Sequence, residues 1–191
     1  MKRVVGRVRK QRRRIYFGCE GESEQSYGKL LGMIADDAGL FLHFDTDLLR
    51  PGGGDPLALL QLAERRLEEK ERRHGRFDFK AVLLDRDKIG ICHERDALIE
   101  PLAARNKIYL LWQTPCHEAF LLRHFDGFAT AQPYSSTLAY EQLRRIWPEY
   151  KKNIPAVELA ARVDLAAVLR AGSVLQEFAE FLSGIGFRIT R

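Results

Sequence analysis

The sequence predicts a single α/β domain in which a mainly parallel sheet is covered by helices on both faces. A chain of 191 residues suits one domain of ordinary size with a continuous core. Short apolar runs of strand length alternate along it with longer segments in which apolar residues recur at helical spacing. Strands joined by crossover helices pair in parallel, and the helices then cover both faces of the sheet.

The first 84 residues contain three predicted strands and two predicted helices. The strands are residues 14–19, 40–47 and 77–84, and the helices run from Ser23 or Glu24 to Asp37 and from Leu57 to His74. Gly39 marks the end of the first helix, and Pro56 after Asp55 marks the start of the second. The glycine-rich segment 51–56 lacks the Gly-Lys-Ser/Thr of a phosphate-binding loop. It indicates a flexible connection, with a lid over a site as the alternative.

The second half begins with the same alternation and then becomes helical. A helix is predicted over residues 93–105, a fourth strand over 107–112 and a helix over 115–125. From about residue 137 the pattern predicts helices, with breaks near residues 147–148 and 153–155, before a short strand returns at 187–189. We therefore expect a basic arm (residues 1–14) and one α/β domain (residues 15–191) with a helical carboxy-terminal extension.

The net charge of +5 resides in the amino-terminal arm. Residues 1–14 (MKRVVGRVRKQRRR) hold eight Lys or Arg and no acid, whereas acidic side chains outnumber basic ones in the remainder. Such an arm neutralises phosphates and releases counterions, so it favours nucleic acid as a partner. The alternative is a solvated terminus that contributes only to solubility.

Composition argues against a membrane or secreted protein. No apolar run approaches the roughly 20 residues that span a bilayer, and no apolar stretch of a secretory signal follows residues 1–14. The three cysteines, Cys19, Cys92 and Cys116, form no even-numbered disulfide framework and lack the close spacing of a zinc site. We therefore expect a cytoplasmic protein without structural zinc.

Three acidic residues follow predicted strands at one end of the sheet. Glu20 ends the first strand, and Asp85 and Asp87, which point to the same side because they are two apart, end the third. Ligands of open α/β sheets bind beyond the carboxyl ends of the strands. Crowded carboxylates repel one another unless a cation lies between them, and oxygen ligands suit Mg²⁺ or Mn²⁺. The sequence therefore predicts a metal site at Glu20, Asp85 and Asp87, where Gly21 leaves room for a substrate.

Four segments, in the same order along the chain, resemble the RloB-like protein family. Residues 19–24 (CEGESE), with Tyr27 behind them, are similar to the family's strand-end motif, and residues 85–87 (DRD) to its aspartate-x-aspartate. Residues 115–125 (PCHEAFLLRHF) are similar to its Pro-Cys-Phe-Glu-x-Trp-Leu-Leu-x-His-Phe segment, and residues 150–152 to its Tyr-Lys-Lys element.

The resemblance implies a TOPRIM-like fold and an association with bacterial defence or restriction loci. It carries the acidic positions of the family to Glu20, Asp85 and Asp87, and with them nuclease-type phosphoryl transfer on DNA or RNA that depends on Mg²⁺ or Mn²⁺. This chain has Ser23 where the family commonly has Thr, His117 for Phe and Phe120 for Trp. The last two changes leave the role of that helix open.

Further residues are candidates for roles around the acidic site. Glu20 is either a metal ligand or the general acid or base; Lys151 and Lys152 are candidates for phosphate contact; the accessory candidates are Glu24, Glu118 and His124. Each also has an ordinary structural interpretation. The lysines are exposed helix-end charges, the two accessory glutamates favour a helix amino terminus, and the histidine, by preference, is a hydrogen-bonded core residue. For Arg86 a salt bridge is favoured over a phosphate contact.

Three functions compete, and a metal-dependent nuclease leads. An aspartyl-phosphate phosphatase with Asp85 as nucleophile and Asp87 as acid is disfavoured, because that chemistry uses the first strand and favours Thr where this chain has Ile89. The alternative is a non-catalytic subunit of a defence complex that binds nucleic acid or a partner ATPase through the arm and the carboxy-terminal helices. The sequence does not distinguish DNA from RNA, one metal from two, or a monomer from a homodimer.

Overall fold

A four-stranded, all-parallel sheet forms the centre of the protein in the computed structural model, which describes residues 11–50 and 54–188. The strands are β1 (Arg13–Cys19), β2 (Leu42–Leu48), β3 (Phe79–Asp85) and β4 (Tyr109–Gln113). They lie in the order β2-β1-β3-β4, so β1 and β3 occupy the middle. The predicted α/β class, with a parallel sheet flanked by helices, is confirmed, and the arrangement is consistent with a Rossmann-like fold.

Helices connect the strands and make up the carboxy-terminal part of the described chain. They are α1 (Glu22–Asp37), α2 (Pro56–His74), α3 (His93–Asp96), α4 (Ile99–Asn106), α5 (His117–Leu122), α6 (Ser136–Ile146), α7 (Ala156–Ala160), α8 (Leu165–Gly172) and α9 (Gln176–Ile185). The predicted start of α2 is confirmed, because the Asp55 carboxylate accepts a hydrogen bond from the Leu57 N–H and Pro56 occupies the first turn. In the described part of the chain, no helix has the length and apolar character needed to cross a membrane.

Alternate residues of the central strands face two separate cores. Ile15, Phe17 and Cys19 of β1 enter a large core with α1, α5 and the carboxy-terminal helices, whereas Tyr16 enters a smaller core with α2 and α4. β3 alternates in the same way, since Ala81 and Leu83 enter the large core and Val82 and Leu84 the small one. By this alternation the next residue in phase with Ala81 and Leu83 is Asp85, which therefore lies on the side of α1 and α5.

The carboxy-terminal helices are part of the same fold. Tyr109 of β4 and Phe181 of α9 have ring centroids 5.7 Å apart, so α9 packs against the edge strand. Between α6 and α7 the segment 147–155, here called the clasp loop, buries Trp147, Tyr150 and Ile154 in the large core. This loop crosses towards the carboxyl ends of the strands, where it contacts two residues near the acidic site.

Two predicted elements differ from the structure. The single helix over 93–105 is two helices, because the chain turns at residues 97–98 between α3 and α4. The predicted strand over 187–189 is wrong for its two described residues. Gly186 has a φ of 103°, and the Phe187 N–H donates back to the Leu182 carbonyl, so this backbone group closes the end of α9 and does not pair with a strand. Residue 189 lies outside the described residues.

The boundary of the basic arm is also refined. Residues 1–10 lie outside the described residues, while Arg13 and Arg14 belong to β1. The Arg14 guanidinium donates to the His74 and Gly75 carbonyls at 2.8 and 2.6 Å and lies 4.2 Å from the centre of the Phe77 ring. These last arginines of the arm are therefore fixed at the amino end of the sheet.

Candidate carboxylate site

Glu20 and Asp85 meet because β1 and β3 are neighbouring parallel strands. Cys19 lies opposite Leu83 in the register, so the residue that follows Cys19 sits beside the end of β3. The backbone N–H of Asp85 donates to Oε2 of Glu20 at 3.3 Å. The structure thus brings together two of the three acidic residues that the sequence places at this end of the sheet.

Glu24 adds a buried carboxylate from the first turn of α1. Its side chain is only 5% exposed, and burial raises its pKa, with the Glu118 carboxylate adding to the rise. A Cβ on Gly21 would lie 2.8 Å from Oε2 of Glu24. Glycine at position 21 therefore leaves room for the Glu24 carboxylate. This contact explains the glycine more specifically than the room for a substrate that the sequence suggests.

Glu118 reaches the same rim from the first turn of α5. It is 4% exposed and accepts a hydrogen bond from the Tyr150 hydroxyl at 3.4 Å. Lys152 places Nζ 3.8 Å from Oε1 of Glu118. Because Tyr150 and Lys152 both lie in the clasp loop, the carboxy-terminal part of the chain completes this side of the site.

Asp87 lies on the exposed edge of the cluster, two residues beyond Asp85. Its charge contributes to the raised pKa values of Glu20 and Asp85, and Lys88 counteracts the rise at Glu20. A Cβ on Gly54 would collide with the Lys88 ammonium and lie 3.2 Å from Oε1 of Glu20. The described end of the glycine-rich segment thus borders the site, while residues 51–53, where a lid was considered, lie outside the described residues.

Asp85 has the most strongly raised pKa among the carboxylates of the cluster. Burial raises its pKa to about 9, and the neighbouring carboxylates Glu24, Glu20, Asp87 and Glu118 add to the rise in that order. A carboxyl group with this pKa keeps its proton at neutral pH when no cation is near. The rim is therefore a place where negative charge is in excess and where a bound cation would release protons.

The buried side chains of Gln113 and His117 form a hydrogen-bonded chain that ends on Asp85 and Glu24. Gln113 ends β4 directly opposite Asp85, and in the orientation that satisfies its neighbours its carboxamide nitrogen donates to Oδ1 of Asp85 at 2.8 Å and to Oε1 of Glu24 at 3.2 Å. Its oxygen then accepts from Nδ1–H of His117 at 2.6 Å. Burial lowers the pKa of His117 to about 4, so the imidazole is neutral and carries its proton on Nδ1 in this arrangement.

The sequence argument did not identify Gln113, and it noted His117 only as a departure from the family pattern. A polar residue at the end of a strand is common because loops are solvated, so Gln113 carries little signal by itself. The available signal was its position, since a fourth parallel strand beside the third ends at the same rim as Asp85.

Several predicted residues prove to have structural roles. His124 is buried, its Nε2 is 2.8 Å from the Tyr27 hydroxyl and its Nδ1 is 3.1 Å from the Phe120 carbonyl. Both ring nitrogens are engaged by protein atoms, as expected of the core histidine that the sequence favours. Arg86 lies over the Trp112 ring at 5.8 Å, and among described residues its side chain forms no salt bridge, so the favoured interpretation of that residue is wrong.

The two candidate phosphate-binding lysines lie in the clasp loop and not at a helix end. Lys151 and Lys152 are both exposed, and Lys152 is the nearer to the carboxylates through Glu118. Asn153 fixes the loop against α1, because its backbone N–H donates to Oγ of Ser23 at 3.0 Å. Lys152 is thereby held beside the rim, and both lysines are exposed to solvent.

Oxygen donors fit a hard divalent cation, although the side chains do not enclose one as they stand. Glu20, Glu24, Asp85, Asp87 and Glu118 supply only carboxylate oxygens, the donors that Mg²⁺ and Mn²⁺ prefer. Within residues 11–50 and 54–188, no three His, Cys, Asp or Glu side chains are arranged closely enough to hold a metal ion. The strand-end carboxylates must therefore rotate before they can coordinate one metal ion together.

Thiol chemistry is not supported by the surroundings of the two buried cysteines. Cys19 and Cys116 are buried, and burial raises the pKa of both thiols, that of Cys116 to about 11. A thiol in such an environment is a poor nucleophile because its thiolate form is disfavoured.

Comparison with known proteins found no matching family model, no matching curated protein and no matching solved structure. The relationship to the RloB-like family stays a prediction from the four sequence segments.

Proposed function

We propose that this chain is a metal-dependent hydrolase of phosphodiester bonds in nucleic acid. The observation that carries the proposal is the convergence of Glu20, Glu24, Asp85, Asp87 and Glu118 at the carboxyl ends of a parallel sheet, with the pKa of Asp85 raised to about 9. A cluster of acids that is unfavourable when empty gains stability when a divalent cation binds. Phosphodiester hydrolysis is the chemistry that such cation sites serve most directly.

Asp85 and Glu20 are the proposed ligands, with Asp87 as the exposed third. Gln113 donates to one oxygen of Asp85 and leaves the other available. The buried pair Glu24 and Glu118 lies behind them and supplies donors for a second cation. When bound, Mg²⁺ or Mn²⁺ supplies Lewis-acid polarisation of the phosphate and a lowered pKa for coordinated water.

As the alternative to its role as a ligand, Glu20 is the proposed proton acceptor for the attacking water. Burial raises the pKa of Glu20, and the charges of Glu24 and Asp87 add to the rise. Its pKa is therefore closer to neutral pH than that of an ordinary glutamate, which favours a general base. The exposed ammonium groups of Lys151 and Lys152, on the clasp loop beside Glu118, are positioned to neutralise a phosphate that approaches the rim.

The biological setting is proposed from the sequence segments alone. A cytoplasmic, RloB-like protein of a bacterial defence or restriction-associated system would act on DNA or RNA, with the basic arm of residues 1–14 adding phosphate contacts. A partner ATPase or restriction-system protein and a homodimer are consistent with this setting. The alternative within the same setting is a non-catalytic subunit that binds nucleic acid or the ATPase.

The test is cleavage of plasmid, single-stranded DNA and RNA with Mg²⁺, Mn²⁺ or EDTA. Wild type is compared with Asp85→Asn plus Asp87→Asn, and with the charge-matched control Asp37→Asn plus Glu158→Gln, two exposed acids on α1 and α7. We expect cleavage that requires metal, survives in the control and disappears in the rim variant. Mn²⁺ affinity is measured in parallel by calorimetry.

Calorimetry separates the remaining outcomes. Absence of cleavage together with unchanged Mn²⁺ binding by the rim variant would refute the site. Absence of cleavage with Mn²⁺ binding lost in the rim variant would instead support the non-catalytic subunit, because the cation site would then exist without hydrolysis.

A further inference from the structure

A second polar cleft lies at the opposite end of the sheet from the carboxylates. It has a volume of about 600 Å³ and is formed where β3 and β4 begin and where α2 and α4 end. Its basic residues are Arg76, Lys80, Arg105 and Lys107. The cleft is therefore rich in cations and large enough for a nucleotide unit.

The acids of the cleft are already engaged. Glu71 accepts from the Phe77 N–H at 3.0 Å and pairs with Lys80 at 3.1 Å. Asp78 accepts from the Arg14 N–H at 2.7 Å. These two carboxylates are thus committed to the protein, and four cations against two acids leave the lining with a net positive charge.

Two of the four cations are available for a ligand. Arg105 pairs with Glu64 at 2.8 Å, and Lys80 is held by Glu71. Arg76 and Lys107 are exposed, and within the described residues their side chains form neither hydrogen bonds nor ion pairs. They lie in the segments that precede β3 and β4, and both line the cleft.

The basic arm joins the fold at this same end. Arg14 is tied to the carbonyls of His74 and Gly75, next to Arg76. Residues 1–10, which precede it, contain five further Lys or Arg and no acid. The described end of the basic arm therefore joins the fold at the end of the sheet that carries the cleft.

We propose that this cleft binds the phosphate backbone of a polynucleotide and anchors a flanking stretch of it while the carboxylate rim engages another part. The proposal rests on the substrate class of the proposed function but not on hydrolysis, since anchoring requires no metal. Each phosphate bound by Arg76 or Lys107 releases condensed counterions, so binding depends steeply on salt.

The length of β3 sets the spacing between the two regions. Six steps from Phe79 to Asp85, at ~3.3 Å per residue, separate the cleft and the rim by about 20 Å. At ~3.4 Å per step along a duplex strand, this distance corresponds to about six nucleotides. Because helices cover the sheet, a strand must pass around the fold, so this length is a lower bound: oligonucleotides shorter than about six nucleotides engage one region only.

The test measures binding of a fluorescent oligonucleotide of ~20 nucleotides in EDTA over a salt series, using the full-length chain. The cleft variant is Arg76→Gln plus Lys107→Asn; asparagine is chosen because Lys107 has a φ of 55°, a conformation that asparagine tolerates. The control removes the same charge from α2 and α6 by Arg65→Gln plus Arg145→Gln. Unfolding temperatures confirm that each variant is folded.

We expect the cleft variant to bind about tenfold more weakly and its log K against log salt slope to fall by roughly 1.4–1.8, at ~0.7–0.9 per phosphate contact. The control should bind like wild type. Because EDTA removes the divalent cations that hydrolysis requires, this binding assay tests the cleft separately from the hydrolase. Equal slopes in the cleft variant and the control would overturn the anchoring role. So would binding of a mononucleotide as tight as that of the oligonucleotide, since the cleft would then be a free-nucleotide site.

Discussion

Replacing Asp85 by asparagine should stabilise the metal-free protein, by an amount that grows with pH. In the folded chain the pKa of Asp85 is raised to about 9, against an ordinary value of 3.8. Between these values the folded state holds a proton that the unfolded chain releases. Wild type therefore loses stability as pH rises, with a limiting slope of about 1.4 kcal/mol per pH unit, and the asparagine variant lacks this loss.

The magnitude follows from the same two values. At pH 7, about three units above the pKa of Asp85 in the unfolded chain, the free energies of unfolding of the variant and wild type differ by at most about 4 kcal/mol. Asp85 keeps partial contact with solvent, so we expect about half of this, ~2 kcal/mol in favour of the variant. For a chain of this length that difference corresponds to an increase of roughly 4–8 °C in unfolding temperature.

The assay is urea and thermal unfolding of wild type and Asp85→Asn in EDTA at pH 5, 7 and 8, then with added Mg²⁺. Magnesium should reverse the order, because wild type gains about 2.7 kcal/mol at 100 times the Kd and the variant gains little. Asp37→Asn, an exposed acid at the end of α1, is the control and should show no pH-dependent difference. A wild-type-to-variant difference that stays constant from pH 5 to 8 would refute the electrostatic account.

Three further substitutions separate structural from functional roles. Gly21→Ala should leave unfolding by urea nearly unchanged but weaken Mn²⁺ binding in calorimetry, because its methyl group displaces Glu24; unaltered affinity would contradict this. Tyr27→Phe leaves Nε2 of buried His124 without its partner and should cost about 1–3 kcal/mol in urea unfolding at unchanged Mn²⁺ affinity. Gln113→Leu removes the donor to the strand-end aspartate and should cost a similar amount while also weakening Mn²⁺ binding; a loss in stability alone would show a purely structural role.

Strand ends were the part of the site that the sequence predicted well. An apolar run followed by Glu20, and another followed by Asp85, are local patterns, and parallel pairing forces their ends to one side of the sheet. Glu24 was harder to assess, because a glutamate in the first turn of a helix is usually a solvated charge. Its burial depends on α5 and β4, which are about 90 residues away in sequence, so no local pattern contains it.

Element boundaries show a different limit. Pro101 lies within the predicted helix 93–105, and proline is tolerated in the first turn of a helix but not in its interior, so it was the local signal that a new helix begins near residue 99. Helical periodicity continued across the break and outweighed that signal. Phe187 has the apolar character of a strand residue, but its backbone bonds to the end of α9 because Gly186 adopts a left-handed conformation there. Local propensity therefore predicts correctly that Phe187 is buried, but predicts its backbone conformation wrongly.

The clasp loop has a consequence for the order of events during synthesis. Asn153 is bonded to Ser23 across 130 residues of chain, and Tyr150 holds Glu118. At ~5–20 residues per second, the ribosome adds those residues roughly 7–26 s after the first carboxylates have been made. Glu20 and Glu24 therefore emerge without the groups that close the rim around them. A nascent chain can fold its first strands and helix in that interval, but the acidic rim reaches its final form only after residues 150–153 have been added.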